Sequence, residues 1–153
     1  MSILKVARMG HPVLRTPARA LDRAEIRSPT IQQLVADMIE TMSEYRGVGL
    51  AAPQVHEGLR LFVALLDDDD DEDGDAVPEP VALINPEITI VGREVVEDWE
   101  GCLSVPDVRG RVPRAKEIKV RAFDRTGERI ELSAHDFPAR VIQHETDHLD
   151  GVL

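Results

Sequence analysis

Cysteine, aromatic residues, positive charge and long apolar runs are all scarce in this sequence of 153 residues, and each scarcity excludes something. A lone Cys102 cannot close an internal disulfide, so the chain is no disulfide-stapled scaffold, and the thiol is a core side chain, a nucleophile or a ligand. One Trp, one Tyr and three Phe leave the core to aliphatic side chains; with 42% apolar residues the chain has enough of them for one ordinary domain. Eighteen basic residues against 29 acidic ones give a net charge of −11, and no Lys/Arg excess is available to neutralise phosphates or anionic lipid. The longest apolar run, Leu61 to Leu66, falls far short of the roughly 20 residues of a membrane helix. The N-terminus mixes Lys5 and Arg8 into a short apolar stretch with no signal-peptide pattern, which predicts a cytoplasmic protein or one whose targeting segment is absent from this sequence.

The acidity is local. Asp67 to Asp71, Glu72, Asp73 and Asp75 account for eight of the acids; the other 21 stand against 18 bases, a balance of −3. Asp69, Asp71, Asp73 and Gly74 match the first half of a calcium loop, but Pro80 stands where its bidentate Glu belongs, so the segment reads as a solvated surface loop.

Ser28-Pro29 is a helix start, followed by Ile31, Leu34, Val35, Met38, Ile39, Met42 and Tyr45 at helical spacing and closed by Gly47. Leu59 to Leu66 reads as a strand, as do Val81 to Ile84 and Ile88 to Val91 around Asn85-Pro86; Glu94 to Leu103 reads as extended. Lys116 to Phe123 and Arg129 to Leu132 form a hairpin across Asp124-Arg125-Thr126-Gly127. A final helix starts near Asp136 and Pro138 and stops at Gly151. The expected fold is a single α+β domain, 1–153, with mixed or antiparallel sheets around that helix.

His144-Glu145-Thr146-Asp147-His148 has the form H-E-x-x-H on that helix. Positions i and i+4 share a face, so two imidazoles can converge on one metal while Glu145 reaches a water bound to it. A catalytic metal wants a third protein ligand, and Cys102 is the candidate, although a buried free thiol is the commoner fate of a lone cysteine. His11, His56 and His135 lack ligand spacing and read as surface or capping residues.

Gly47-Val48-Gly49-Leu50-Ala51-Ala52-Pro53-Gln54, Glu100-Gly101-Cys102-Leu103-Ser104 and Gln143-His144-Glu145-Thr146-Asp147-His148-Leu149 occur in the order and form of the three motifs of peptide deformylase, and His11-Pro12-Val13-Leu14-Arg15 resembles that family's N-terminal segment. The resemblance covers nearly the whole chain. It implies that Cys102, His144 and His148 hold one divalent metal, natively Fe²⁺, with Zn²⁺, Ni²⁺ or Co²⁺ able to replace it; donor type alone does not choose among them.

The reaction implied is removal of the formyl group from formylmethionyl nascent peptides. Metal-activated water attacks the formyl carbon, and Glu145 takes the proton and returns it to the leaving amine. By the same resemblance the Gln54 amide and the Leu103 N–H stabilise the oxyanion, and Val48, Gly49 and Gly101 pair with peptide backbone. Val48, Phe137 and Val141 would line a methionine pocket, Arg109 would contact substrate, and Glu100 would support the site through a nearby Arg. Implied partners are N-formylmethionyl peptides and, transiently, the ribosome, with no nucleic-acid specificity and no membrane. Family members usually continue beyond a helix like this one, and that extension is absent from the sequence. Two other readings share H-E-x-x-H: a zinc peptidase, whose third ligand is usually a downstream His or Glu that does not follow His148 here, and a non-catalytic metal- or peptide-binding module.

Overall fold

The structure is a computed structural model that describes residues 2–66 and 79–152. The acidic run and the half-match to a calcium loop within it lie outside the described residues. Five strands form one sheet in the order β1-β2-β3-β4-β5, every neighbouring pair antiparallel: β1 Gly49–Ala51, β2 Leu61–Leu65, β3 Pro80–Cys102, β4 Val105–Phe123 and β5 Arg129–His135. Helix α1 is Arg23–Ile26, α2 Pro29–Glu44 and α3 Asp136–Leu149.

Two helices cover opposite faces of the sheet, and the strand sequences show why. Leu61, Val63, Ala82 and Ile84 share a core with Ile31, Val35, Met38 and Met42 of α2. The alternate residues Phe62, Ala64 and Leu83 pack with Ala139, Ile142 and Leu149 of α3. A strand buried on both faces has no polar side to show, hence the unbroken apolar run of β2.

Ser28 caps α2, its hydroxyl accepting from Ile31 N–H at 3.3 Å, with Pro29 in the first turn. The helix ends differently from the expectation. Arg46, not Gly47, takes the left-handed conformation, at φ 54°, while Gly47 N–H donates to Met42 O. A Cβ at Gly47 would make ordinary contact with Leu103 Cδ1, at 3.4 Å, so packing does not demand a glycine there. α3 ends as expected, with Gly151 at φ 79° and its absent Cβ clearing the Arg15 carbonyl.

The two short strands expected around Asn85-Pro86 are one strand, β3, with a register shift at that point. Asn85, at φ 53°, holds the irregularity by pairing its side-chain amide with both backbone groups of Leu21, at 2.9 and 2.6 Å. β4 also starts 11 residues before the expected Lys116, running through Pro106 and Pro113. β5 pairs only with Glu117 to Phe123, so the first half of β4 has one open side where a proline costs no ladder bond. Among the described residues no helix is long and apolar enough to cross a membrane.

Candidate active site and metal centre

Three segments meet where β3 turns into β4. Cys102 is the last residue of β3, set off by a register shift at Gly101/Cys102 and followed by the two-residue turn Leu103-Ser104. α3 runs past this turn and brings His144 and His148 to it. Cys102 Sγ lies 3.4 Å from His148 Nε2, and the two Nε2 atoms are 3.1 Å apart; one donor atom from each of the three residues falls within 4.8 Å of the others. The third segment is the bend that leaves β1, where Gln54 is buried. Its Oε1 accepts from Ala51 N–H at 2.9 Å, which aims Nε2 at Ser104 Oγ (3.2 Å) and Cys102 Sγ (3.5 Å). The N-terminal segment secures both ends: Ala7 N–H donates to Gln54 O and Met9 N–H to Ser104 O.

Glu145 is 4% exposed, and its Oε2 has no hydrogen-bond partner among the described residues, nor has His148 Nδ1. Gly49 faces the carboxylate so closely that a Cβ would stand 2.6 Å from Glu145 Oε1. Burial lifts the Glu145 pKa to about 7, the range in which one carboxyl can both take and return a proton at neutral pH.

Glu100 organises the other side. Burial opposes its charge, but hydrogen bonds from His144, Arg114 and Arg140 outweigh that and hold its pKa at about 2. Oε1 meets His144 Nδ1 at 2.8 Å, Arg114 grips both carboxylate oxygens at 3.0 Å, and Arg140 reaches Oε2 at 2.6 Å. Arg140 also donates to Val112 O and Val96 O, tying α3 to the β3–β4 ribbon, and Arg114 pairs with Asp147 on α3. Burial lowers the affinity of His144 for its proton, yet contacts with Cys102 and Glu100 raise its pKa to about 10. Burial and the neighbouring His144 cation push His148 down to about 3, leaving its imidazole neutral.

The donor set fits a divalent cation. One thiol and two imidazole Nε2 atoms converge, and the Nδ1 of His144 is fixed by a carboxylate, the arrangement that commonly orients a ligating histidine.

Beside this centre opens a cavity of about 910 Å³. Of the residues singled out in the sequence, Val48, Gly49, Gln54, Gly101, Cys102, Leu103, Arg109, Phe137, Val141, His144 and Glu145 all line it, while His148 is buried and not on the lining. Val48 and Phe137 are exposed on the cavity, whereas Val141 also belongs to the core under α3. Among the described residues β1 is an edge strand, with one side open to an extended peptide. His11 caps a short 3-10 turn through Nδ1, as expected of a capping histidine.

The polypeptide deformylase family model matches residues 3–153. The chain belongs to the peptide deformylase family. Peptide deformylase 2 of Nostoc sp. is 44% identical over 151 residues, covering 99% of this chain and 83% of that protein. A class I type b peptide deformylase from Acinetobacter baumannii superposes with a TM-score of 0.90 at 39% identity, covering 100% of this chain and 97% of that one. Another structure of that enzyme, bound to Met-Ala-Ser, gives 0.88 at 40% identity, with 99% and 95% covered.

Arg114, Arg140, Ser104 and Asp147 are site residues that the sequence reading passed over. A signal exists for one of them: Arg140, His144 and His148 are spaced i, i+4, i+8, so a helix that turns its histidines inward turns that arginine inward too.

Proposed function

We propose that this chain removes the formyl group from N-formylmethionyl peptides, using Cys102, His144 and His148 to hold one divalent metal and Glu145 to move the proton. The observation that carries this reading is the convergence of those three donor atoms within 4.8 Å beside a buried carboxylate and a 910 Å³ cavity. A divalent cation held there polarises a carbonyl and brings the pKa of water towards neutrality. Fe²⁺ is the native metal in this reading; Zn²⁺, Ni²⁺ and Co²⁺ suit the same donors.

The protein groups divide the remaining work. Glu100 keeps His144 oriented with Nε2 inward, and His144 gives up its Nε2 proton on serving as a ligand. Glu145 accepts a proton from the attacking water and passes it to the amine as the C–N bond breaks, consistent with a pKa near 7. Gln54 Nε2, aimed by its Oε1 bond to Ala51, and the Leu103 N–H in the adjoining turn are the donors for the negative charge that develops on the formyl oxygen. Val48, Gly49 and Gly101 pair with the peptide backbone, the methionine side chain lies against Val48, Phe137 and Val141, and Arg109 holds the peptide beyond it. The Met-Ala-Ser peptide seated in the Acinetobacter enzyme supports this assignment of ligand class. The enzyme acts in the cytoplasm, in passing contact with ribosomes that deliver its substrate, and residues 1–153 make up its catalytic domain.

Replacing Glu145 by Gln tests the division of labour. We expect metal content to match the wild type while formate release falls by two or more orders of magnitude. A variant that still turns over at the wild-type rate contradicts the role of Glu145.

A further inference from the structure

The cavity mouth carries a charge pattern opposite to that of the chain. Arg8, Arg46 and Arg109 line it, all three exposed, and none has an ion-pair partner among the described residues. The only exposed carboxylate on the same lining is Asp107, since Glu100 is committed to two arginines and Glu145 is buried. A locally positive rim on a chain of net charge −11 is no by-product of general basicity.

Arg46 has a further peculiarity. Its φ of 54° is one that Gly or Asn adopts at less cost than a long side chain, so an arginine here stands against the local backbone preference. Position fixes what it can reach. Gly49 abuts Glu145, and Arg46 stands three residues back along the chain, at most about 10 Å away. Arg109 pairs with Gly101 on the opposite wall. A peptide extended between Gly49 and Gly101 therefore runs between the stretches of cavity lining that carry Arg46 and Arg109, the latter with its Nε 3.9 Å from where a Gly101 Cβ would stand.

We propose that Arg8, Arg46 and Arg109 form a cationic rim that selects formylmethionyl chains bearing a carboxylate side chain one or two residues after the methionine. This rests on the deformylase reading above and adds a substrate preference to it. The rim acts by charge pairing at an exposed site, so its effect is moderate and sensitive to salt.

The test uses C-terminally amidated peptides, which removes the terminal carboxylate as a second source of negative charge. With formyl-Met-X-Ala-amide and formyl-Met-Ala-X-amide, X being Asp, Ala or Lys, kcat/KM for Asp should exceed that for Lys by about tenfold at low ionic strength in at least one series. The ratio should shrink about threefold in ~0.5 M salt. It should fall about threefold or more in the double variant Arg8→Ser/Arg46→Asn, which leaves Arg109 in place and where Asn suits the left-handed position. A ratio cancels any loss of folded enzyme, so the comparison survives a less stable variant. Turnover of all peptides without preference, or a preference unmoved by salt or by the double variant, overturns the inference alone. Absence of turnover on every formyl peptide overturns the functional reading and the inference with it.

Discussion

Gly49 and Glu145 are packed so tightly that one methyl group separates a working site from a displaced one. In Gly49→Ala the new Cβ would stand 2.6 Å from Oε1 and 2.9 Å from Cγ and Cδ of Glu145, so that side chain must leave its present position. We expect kcat to fall about a hundredfold, the scale set by an ångström of misplacement, with about 1–3 kcal/mol of lost stability from overpacking. Unchanged kcat would mean that the carboxylate does not act from this position. Cys102→Ala should abolish both metal retention and turnover; a fully metallated, active variant would remove Cys102 from the ligand set. The two histidines and Glu145 were legible as one turn of a helix, whereas Cys102 and Gln54 stood out only through the resemblance of their segments to the family's motifs; the structure brings donor atoms of Cys102, His144 and His148 within 4.8 Å of one another. Arg114 and Arg140 were not legible, because which buried charge meets which is decided by packing between α3 and the β3–β4 ribbon.

Elements were legible where a side-chain period or a cap writes them out. Ser28-Pro29, the α2 periodicity, Gly151 and the hairpin over Asp124 to Gly127 all stand as read. The long strands β3 and β4 were not, since Pro86, Pro106, Pro113 and Gly92 punctuate them; the sheet absorbs those residues at register shifts and on open edges. The turn between β4 and β5 offers a pH test at this scale. Asp124 accepts hydrogen bonds from Thr126 N–H and Oγ1 and from Glu128 N–H, and the Thr126 hydroxyl leads the contacts that lower its pKa below 3.8. A carboxyl whose folded pKa lies below its unfolded one adds stability above the unfolded value and loses it as pH falls through the folded one. Asp124→Asn should therefore lower stability at pH 7, modestly because the carboxylate is screened by solvent, and the gap to wild type should narrow as pH drops below 3.8. Urea melts of the two proteins across that range would show a constant gap if the carboxylate charge were irrelevant.

At the scale of the molecule, one antiparallel sheet between two helices brings an edge strand, a strand end and a helix face to one cavity. The fold class and the single domain followed from strands preceding a lone polar-faced helix; that the helices occupy opposite faces did not, because a continuous apolar strand says it is covered twice without saying by what. The central claim is that this assembly is a metal-dependent deformylase. Its most direct test is formate release from a short N-formyl-Met peptide by protein loaded anaerobically with Fe²⁺ or Ni²⁺, with a chelator control. Turnover should be abolished by the chelator and restored by re-added metal. Folded, fully metallated protein that releases no formate, or release that a chelator leaves untouched after metal has been stripped, would contradict that claim.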